Sequence, residues 1–341
     1  QQNYTQTIDG KVQIEPISDF RIDFDLRKKY TENHSEYFKD TEADGIRNIE
    51  RLLPQDMGSM ELTYFSANTL FGQDQDGIDL FNQYEANREE ISRRIGDPAT
   101  QHVNADEAAY TRGYGRIQQD VLIPAFVSAY SGTNASTTKL DIFKTLPLPN
   151  WTVNYTGLSK VGRFKDLFSR VSIKHGYKST LTVNAFRTDL NFDPANPTGN
   201  SNINPETNNY YSRLEIPDVV IREGFSPLIG VQIETKSNLS IDFSMDKQRD
   251  LQMNLFTYQL AENRTSAYKA GFQYTMKGVQ FEWLKSKKKK GRGKDKNLGN
   301  QLLNRAGGST FGNSSPQDLN IGLQFQLNDD ITINHFLDQD I

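Results

Sequence analysis

The chain contains no cysteine among its 341 residues, which excludes a disulfide scaffold and thiolate metal ligation alike. It also lacks a strong charge of either sign: the formal net charge of −4 gives no reason to expect nucleic acid as a partner. No run of about eighteen apolar residues exists, so a conventional transmembrane helix is excluded. A transmembrane β-barrel is not, because its strands alternate and their mean hydropathy is low. The opening residues, QQNYTQ, lack the charged start and apolar core of a signal peptide.

Chemistry-bearing motifs are equally scarce. His34, His102, His175 and His335 lie far apart with no ligand-spaced pair, and read as ordinary surface or strand histidines. Asp74–Gly77 has the start of a calcium loop but neither its later ligands nor its closing Glu, and reads as a turn leading a helix. GRGK at 291–294 lacks the spacing of a phosphate loop. Ser172 and His175 have opposite strand parity, so they cannot form a nucleophile–base pair on one strand. Neither an enzyme nor a bound cofactor is expected.

What the chain does have is long alternation. In 170–188 the odd positions carry Val171, Ile173, Leu181 and Val183, and the even ones Ser172, Lys174, Thr180 and Thr182. Successive strand side chains point to opposite faces, so one face is apolar and the other wet. At nineteen residues the run exceeds the roughly nine to eleven that cross a bilayer. The pattern recurs. Leu239, Ile241, Phe243 and Met245 alternate with Ser240, Asp242 and Ser244, and Leu319, Ile321, Leu323 and Phe325 continue it. The fold class expected is all-β, with antiparallel transmembrane barrel strands and a helical insertion. The apolar set should face lipid and the polar set a lumen.

In chain order, residues 1–72 read as strands (Phe20, Ile22, Phe24 and Leu26 opposite Arg21, Asp23, Asp25 and Arg27), with 28–56 a long polar loop and 60–71 a further strand. Residues 73–145 change period. Phe81, Tyr84, Arg88, Ile91 and Ile95 have helical spacing, with Glu89–Arg93 and Glu90–Arg94 as i,i+4 pairs. Residues 121–130 give a second, nearly all-apolar helix, and 138–145 a third candidate. Too patterned for a spacer, this insertion is expected to be a structured gate or cap. Residues 146–284 return to strands, with a flexible Asn/Pro/Gly loop at 193–211; 239–259 reads either as one strand or as a hairpin. The basic, Gly-rich stretch 285–316 follows. Lys287, Lys288, Lys289, Lys290 and Arg292 are candidates for lipid head-group contact, against the plainer reading of a solvated loop. Residues 317–341 are barrel strands again.

Six segments carry a likeness: GSMELTYFSANTLF, EANREEISRRI, VLIPAFVSAYSG, LPLPNWTVNYTGLSK, HGYKSTLTVNAF and the run VVIREGFSPLIGVQIETKSNLSIDFSMDKQRDLQMNL. In this order, from Gly58 to Leu255, they resemble the C-terminal part of the SprA/Sov cell-surface family of the Bacteroidetes type IX secretion system. The resemblance implies a very large outer-membrane β-barrel, about thirty-six strands and the upper end for such folds. That barrel exports folded cargo proteins, with a smaller shuttle barrel and a periplasmic plug as partners and outer-membrane lipid around it. It also implies that this chain is a piece, lacking the family's N-terminal bulk and last strands. Other readings are a TonB-dependent or other porin-like transporter, and a soluble all-β carbohydrate-binding module, whose strands would be shorter and regularly spaced.

Overall fold

The computed structural model of the chain describes residues 1–40, 49–71, 77–279 and 317–337. It is mostly antiparallel β-sheet. Ten strands belong to a single sheet: β1 (Gln2–Ile17), β2 (Phe20–Asp40), β3 (Ile49–Thr63), β4 (Asn150–Tyr155), β5 (Phe168–Thr188), β6 (Leu214–Glu215), β7 (Asp218–Thr235), β8 (Leu239–Asn254), β9 (Gln259–Val279) and β10 (Gln317–Phe336). Their order is β1-β2-β3-β5-β7-β8-β9-β10, with β4 and β6 beside this path. The two outer edges, on β1 and β10, have no partner strand among the described residues.

The third lane of the sheet is interrupted. β3 pairs with the far half of β2 and β5, and β4 with their near half, so both lie between the same two neighbours. At Thr63 the chain leaves this lane, builds the insertion, and re-enters at Asn150 in the same direction. The insertion holds α1 (Ile78–Ile95) and α2 (Gln119–Ser131). Helix α2 is capped at both ends. Gln118 accepts from the amides of Asp120 and Val121, and Gly132, at φ 68°, takes the left-handed turn that lets its amide and that of Thr133 satisfy the last carbonyls.

Several expectations are corrected. Residues 28–56 are not a long loop: β2 runs on to Asp40 and β3 begins at Ile49, paired from Lys28↔Leu62 to Asp40↔Ile49. This stretch has few apolar positions to alternate, and the ladders with β1, up to His34, and with β3 fix it instead. The strand expected over 60–71 stops at Thr63, followed by a 3-10 turn at Ala67–Thr69. Residues 138–145 make only a 3-10 turn, Ile142–Lys144. Of the two readings of 239–259, the single strand holds: β8 runs to Asn254, and a turn leads to β9 at Gln259. Residues 317–337 hold the single strand β10. The 193–211 loop is knitted to the insertion, with Tyr210 N donating to Gly113 O at 2.8 Å and Gly115 N to Asn209 Oδ1 at 2.6 Å. Arg93 meets both Glu89 and Glu90, while Arg94 turns away to the carbonyls of Ala135 and Thr138.

Candidate functional site: a two-faced sheet and its docked insertion

Cross-strand partners share a face, so the register sorts the side chains. One face carries Val12 and Ile14 on β1, Phe20 to Leu26 on β2, Trp151 to Tyr155 on β4 and Ile173 on β5. It continues with Val231 and Ile233, then Ile241 and Phe243, then Phe272 and Tyr274, then Ile321, Leu323 and Phe325. The band thus crosses every lane. On β10 it runs from Leu319 to Leu327, about 27 Å of strand, and a barrel tilt of roughly 35–45° would project that to about 20 Å. The opposite face is predominantly polar, with Arg21 and Asp23, Asn154, Lys174, Gln232, Asp242, Gln273, Asn320 and Gln324.

The band is uncovered. Leu323 is 68 % exposed, Phe325 62 % and Ile229 51 %. Summed over its large residues, the open apolar surface is on the order of 1,000 Å², above the roughly 300–600 Å² of the largest patch on a typical soluble monomer.

Beyond the band, the same face changes character. Ser179, Glu223, Arg249 and Arg264 are successive cross-strand partners on β5, β7, β8 and β9, a polar row where apolar parity would continue. The side chains of Arg249, Glu223 and Glu262 are fully buried. Arg249 Nε donates to Glu223 Oε1 at 2.7 Å, and its terminal nitrogens donate to Thr69 O at 3.0 Å and Tyr130 O at 3.2 Å. Glu262 Oε1 takes Arg264 Nε at 2.7 Å and lies 3.8 Å from Arg249 Nη1, so it faces both guanidiniums. Glu223 Oε2 also accepts from Ser66 Oγ at 2.7 Å and Tyr177 OH at 3.2 Å. One arginine therefore holds the last turn of α2 and the turn at Ala67–Thr69 onto three strands.

Past this row the insertion covers the face. Phe81, Tyr84, Ile91, Leu122, Phe126 and Tyr130 pack on Leu62, Leu181, Val183, Ile221, Leu251 and Met253 in one core. Helix α1 reaches β10, where the Phe81 and His335 rings stack at 4.0 Å and Arg88 Nη1 donates to Leu337 O at 3.1 Å. At the start of α2, burial pushes the Asp120 carboxyl up, against hydrogen bonds from Gln118 and from Ser212 Oγ at 2.9 Å that favour its charge.

The residues expected to face lipid divide accordingly. Ile173, Leu239, Ile241, Phe243, Met245, Leu319, Ile321, Leu323 and Phe325 are part-exposed or exposed, whereas Val171 is buried. Leu181 and Val183 are a correction: the insertion seals them in the core, so they are not open to lipid. Of the even set, Lys174 and Asp242 are exposed, Thr180, Thr182, Ser240 and Ser244 part-exposed, and Ser172 buried with its hydroxyl on Asn154 Oδ1 at 3.3 Å. Parity also breaks near the far end of β5. A bulge between Gly58/Met60 and Phe186/Val183 leaves Ala185 exposed and returns Phe186 to the core. The insertion lies on the apolar face, so it does not stand over the face expected to line a lumen. Lys287, Lys288, Lys289, Lys290, Arg292 and Asp74 to Asp76 lie outside the described residues. Sequence reading missed the ion-pair row, although its signal was there: Glu223, Arg249, Glu262 and Arg264 are charges at apolar-parity positions.

No family model matches the chain, and no curated protein matches it.

Proposed function

We propose that this chain is part of the wall of an outer-membrane β-barrel, and that the barrel is the protein-conducting channel of a type IX secretion system. The observation that carries the first step is the apolar band that crosses every lane on one face, opposite a face of polar residues and glycines with few apolar side chains. A lipid phase covers such a band without needing a second protein layer, and a wide aqueous conduit suits the polar side. The edges of β1 and β10, without a partner strand among the described residues, fit a sheet that continues on both sides, since lipid tolerates no unpaired edge. The second step rests on the SprA/Sov resemblance. Cargo proteins would pass the polar face, with the shuttle barrel and periplasmic plug as partners.

Single cysteines test the wall, because the chain has none of its own. In the intact outer membrane, a membrane-impermeant thiol reagent should label position 242 and spare 241 and 243; equal labelling of both parities would sink the reading. Ile241→Lys should cost about 2–4 kcal/mol near the midplane and impair insertion, while Asp242→Lys should not. For the conduit, a photo-crosslinker on the polar face at Asp242 or Gln273 should capture exported protein in transit, and one at Phe243 should not. Export unaffected by loss of the gene would refute the second step alone.

A further inference from the structure

The connection from β4 to β5 is the strongest feature that the wall does not absorb. Its sequence, Lys160-Val161-Gly162-Arg163-Phe164-Lys165-Asp166-Leu167, mixes large apolar and basic residues, and every one of them is exposed. Val161 is 57 % exposed and Leu167 61 %. A water-facing turn gains nothing by presenting these side chains. They are also not scattered, because the segment (residues 156–167, including the short helix Phe164–Leu167) is held against the margin of the apolar band. Lys160 Nζ pairs with Asp19 at 2.7 Å, Thr156 N donates to Asp19 O, and Lys236 N donates to Leu167 O at 3.1 Å. Gly157 lies against the Tyr155 ring, which a Cβ would approach to 2.8 Å. The register slip between Phe168↔Thr235 and Arg170↔Glu234 brings Phe168 onto the apolar face, and Phe164 stacks on it at 5.8 Å. The apolar surface of the band therefore runs on into Phe164, and the exposed charges beside it are mostly basic: Arg163 and Lys165 with the single acid Asp166 on the segment, and Lys236 on the adjoining β7–β8 turn.

We infer that residues 160–167 form a bilayer-surface anchor, with Phe164, Leu167 and Val161 dipping into the acyl margin and Arg163, Lys165 and Lys236 taking the phosphates of anionic lipid head groups. Two features choose lipid as the occupant: the apolar surface is continuous with the band, and its rim is cationic, the combination that peripheral membrane segments use. The inference rests on the wall reading and adds to it a fixed depth for this end of the sheet.

The test uses the full chain in vesicles containing phosphatidylglycerol, with a fluorophore on a single cysteine at Phe164→Cys or Phe243→Cys. Quenching of the 164 label should be stronger by a nitroxide near the lipid head group than by one deep in the acyl chains, and the order should reverse at 243. R163Q with K165Q and K236Q should abolish the preference of the 164 label for phosphatidylglycerol over phosphatidylcholine and leave the 243 label unchanged. A 164 label quenched by aqueous iodide but by neither nitroxide would overturn the anchor while the 243 signal upholds the wall. A 164 label shielded from all quenchers marks a protein contact there and overturns it too. Absence of nitroxide quenching at both positions would overturn the wall reading itself.

Discussion

Arg249 is the bulkiest fully buried side chain among the described residues. It is fully buried, in the middle of a strand, on the face that otherwise holds leucine and methionine. Its charge is tolerable because Glu223 lies at hydrogen-bond distance and because carbonyls of Thr69 and Tyr130 take the remaining donors. Arg249→Ala should therefore lower stability by about 3–5 kcal/mol, mainly through the stranded Glu223 carboxylate. Pairing Arg249→Met with Glu223→Gln should recover a large part of that loss, since Gln still accepts from Ser66 and Tyr177. A double-mutant cycle by thermal unfolding measures the coupling, and additive losses would disprove it. Asp120 offers a different residue-scale test. Its folded pKa is raised above its ordinary 3.8, so folding is favoured by the protonated form. That contribution is complete below the unfolded value and fades as pH rises through the folded one. Asp120→Asn keeps an acceptor for Ser212 without the charge. Its thermal midpoint relative to the parent chain should rise from about pH 4 to pH 7, and a constant difference would refute the assignment.

The elements were legible where alternation or helical spacing had large apolar residues to work with. β5, β8 and β10 could be read from Val171, Ile241 and Leu323 and their neighbours, and α1 and α2 from Phe81, Ile91 and Phe126. Residues 28–40 were not, because above Leu26 the strand carries Lys28, Glu32, Asn33 and His34, and the ladders to β1 and β3 make it extended. What covers each face was not legible either. Parity places Leu181 beside Ile173 but is silent about which of them lies under a helix that ends 50 residues earlier in the chain, at Ser131. The same limit applies to Lys28, whose Nζ reaches the carbonyls of Phe143 and Thr145 at 2.6 and 2.9 Å. At this scale the sharpest test is on α2. Phe126 is fully buried between the helices and the sheet, so Phe126→Ala should cost about 3–5 kcal/mol. Phe126→Asp should cost more and release the insertion, because the buried charge has no partner. Limited proteolysis in the 97–118 connection should then accelerate while cleavage within β8 and β9 does not.

For the molecule as a whole, the location of the insertion decides what it can be. A gate would have to lie on the polar side, whereas α1 and α2 sit on the apolar side, directly beyond the ion-pair row and in line with the open band. In the proposed wall, this makes the insertion an outer roof. It seals strand surface that rises past the bilayer and would otherwise expose Leu62, Leu181, Val183, Ile221, Leu251 and Met253 to water. It also ties lanes far apart in the sheet, since the helix pair shares one core with Leu62 of β3, Leu181 of β5, Ile221 of β7, Met253 of β8 and Leu260 of β9, and Phe81 stacks on His335 of β10. Replacing residues 77–131 with a Gly/Ser linker should consequently do more than remove a spacer. The band would still enter lipid, because its ladders and apolar residues lie elsewhere. The far halves of β7 to β10 would lose their cover, so the replaced chain should insert but unfold at a lower temperature and bind a hydrophobic dye. Adding back Lys or Glu at positions 181, 221 and 251 in the linker chain should reduce the dye binding, because those side chains would then face water. Unchanged unfolding with no dye binding would mean that the helices are a passive insert, and the roof reading would be abandoned.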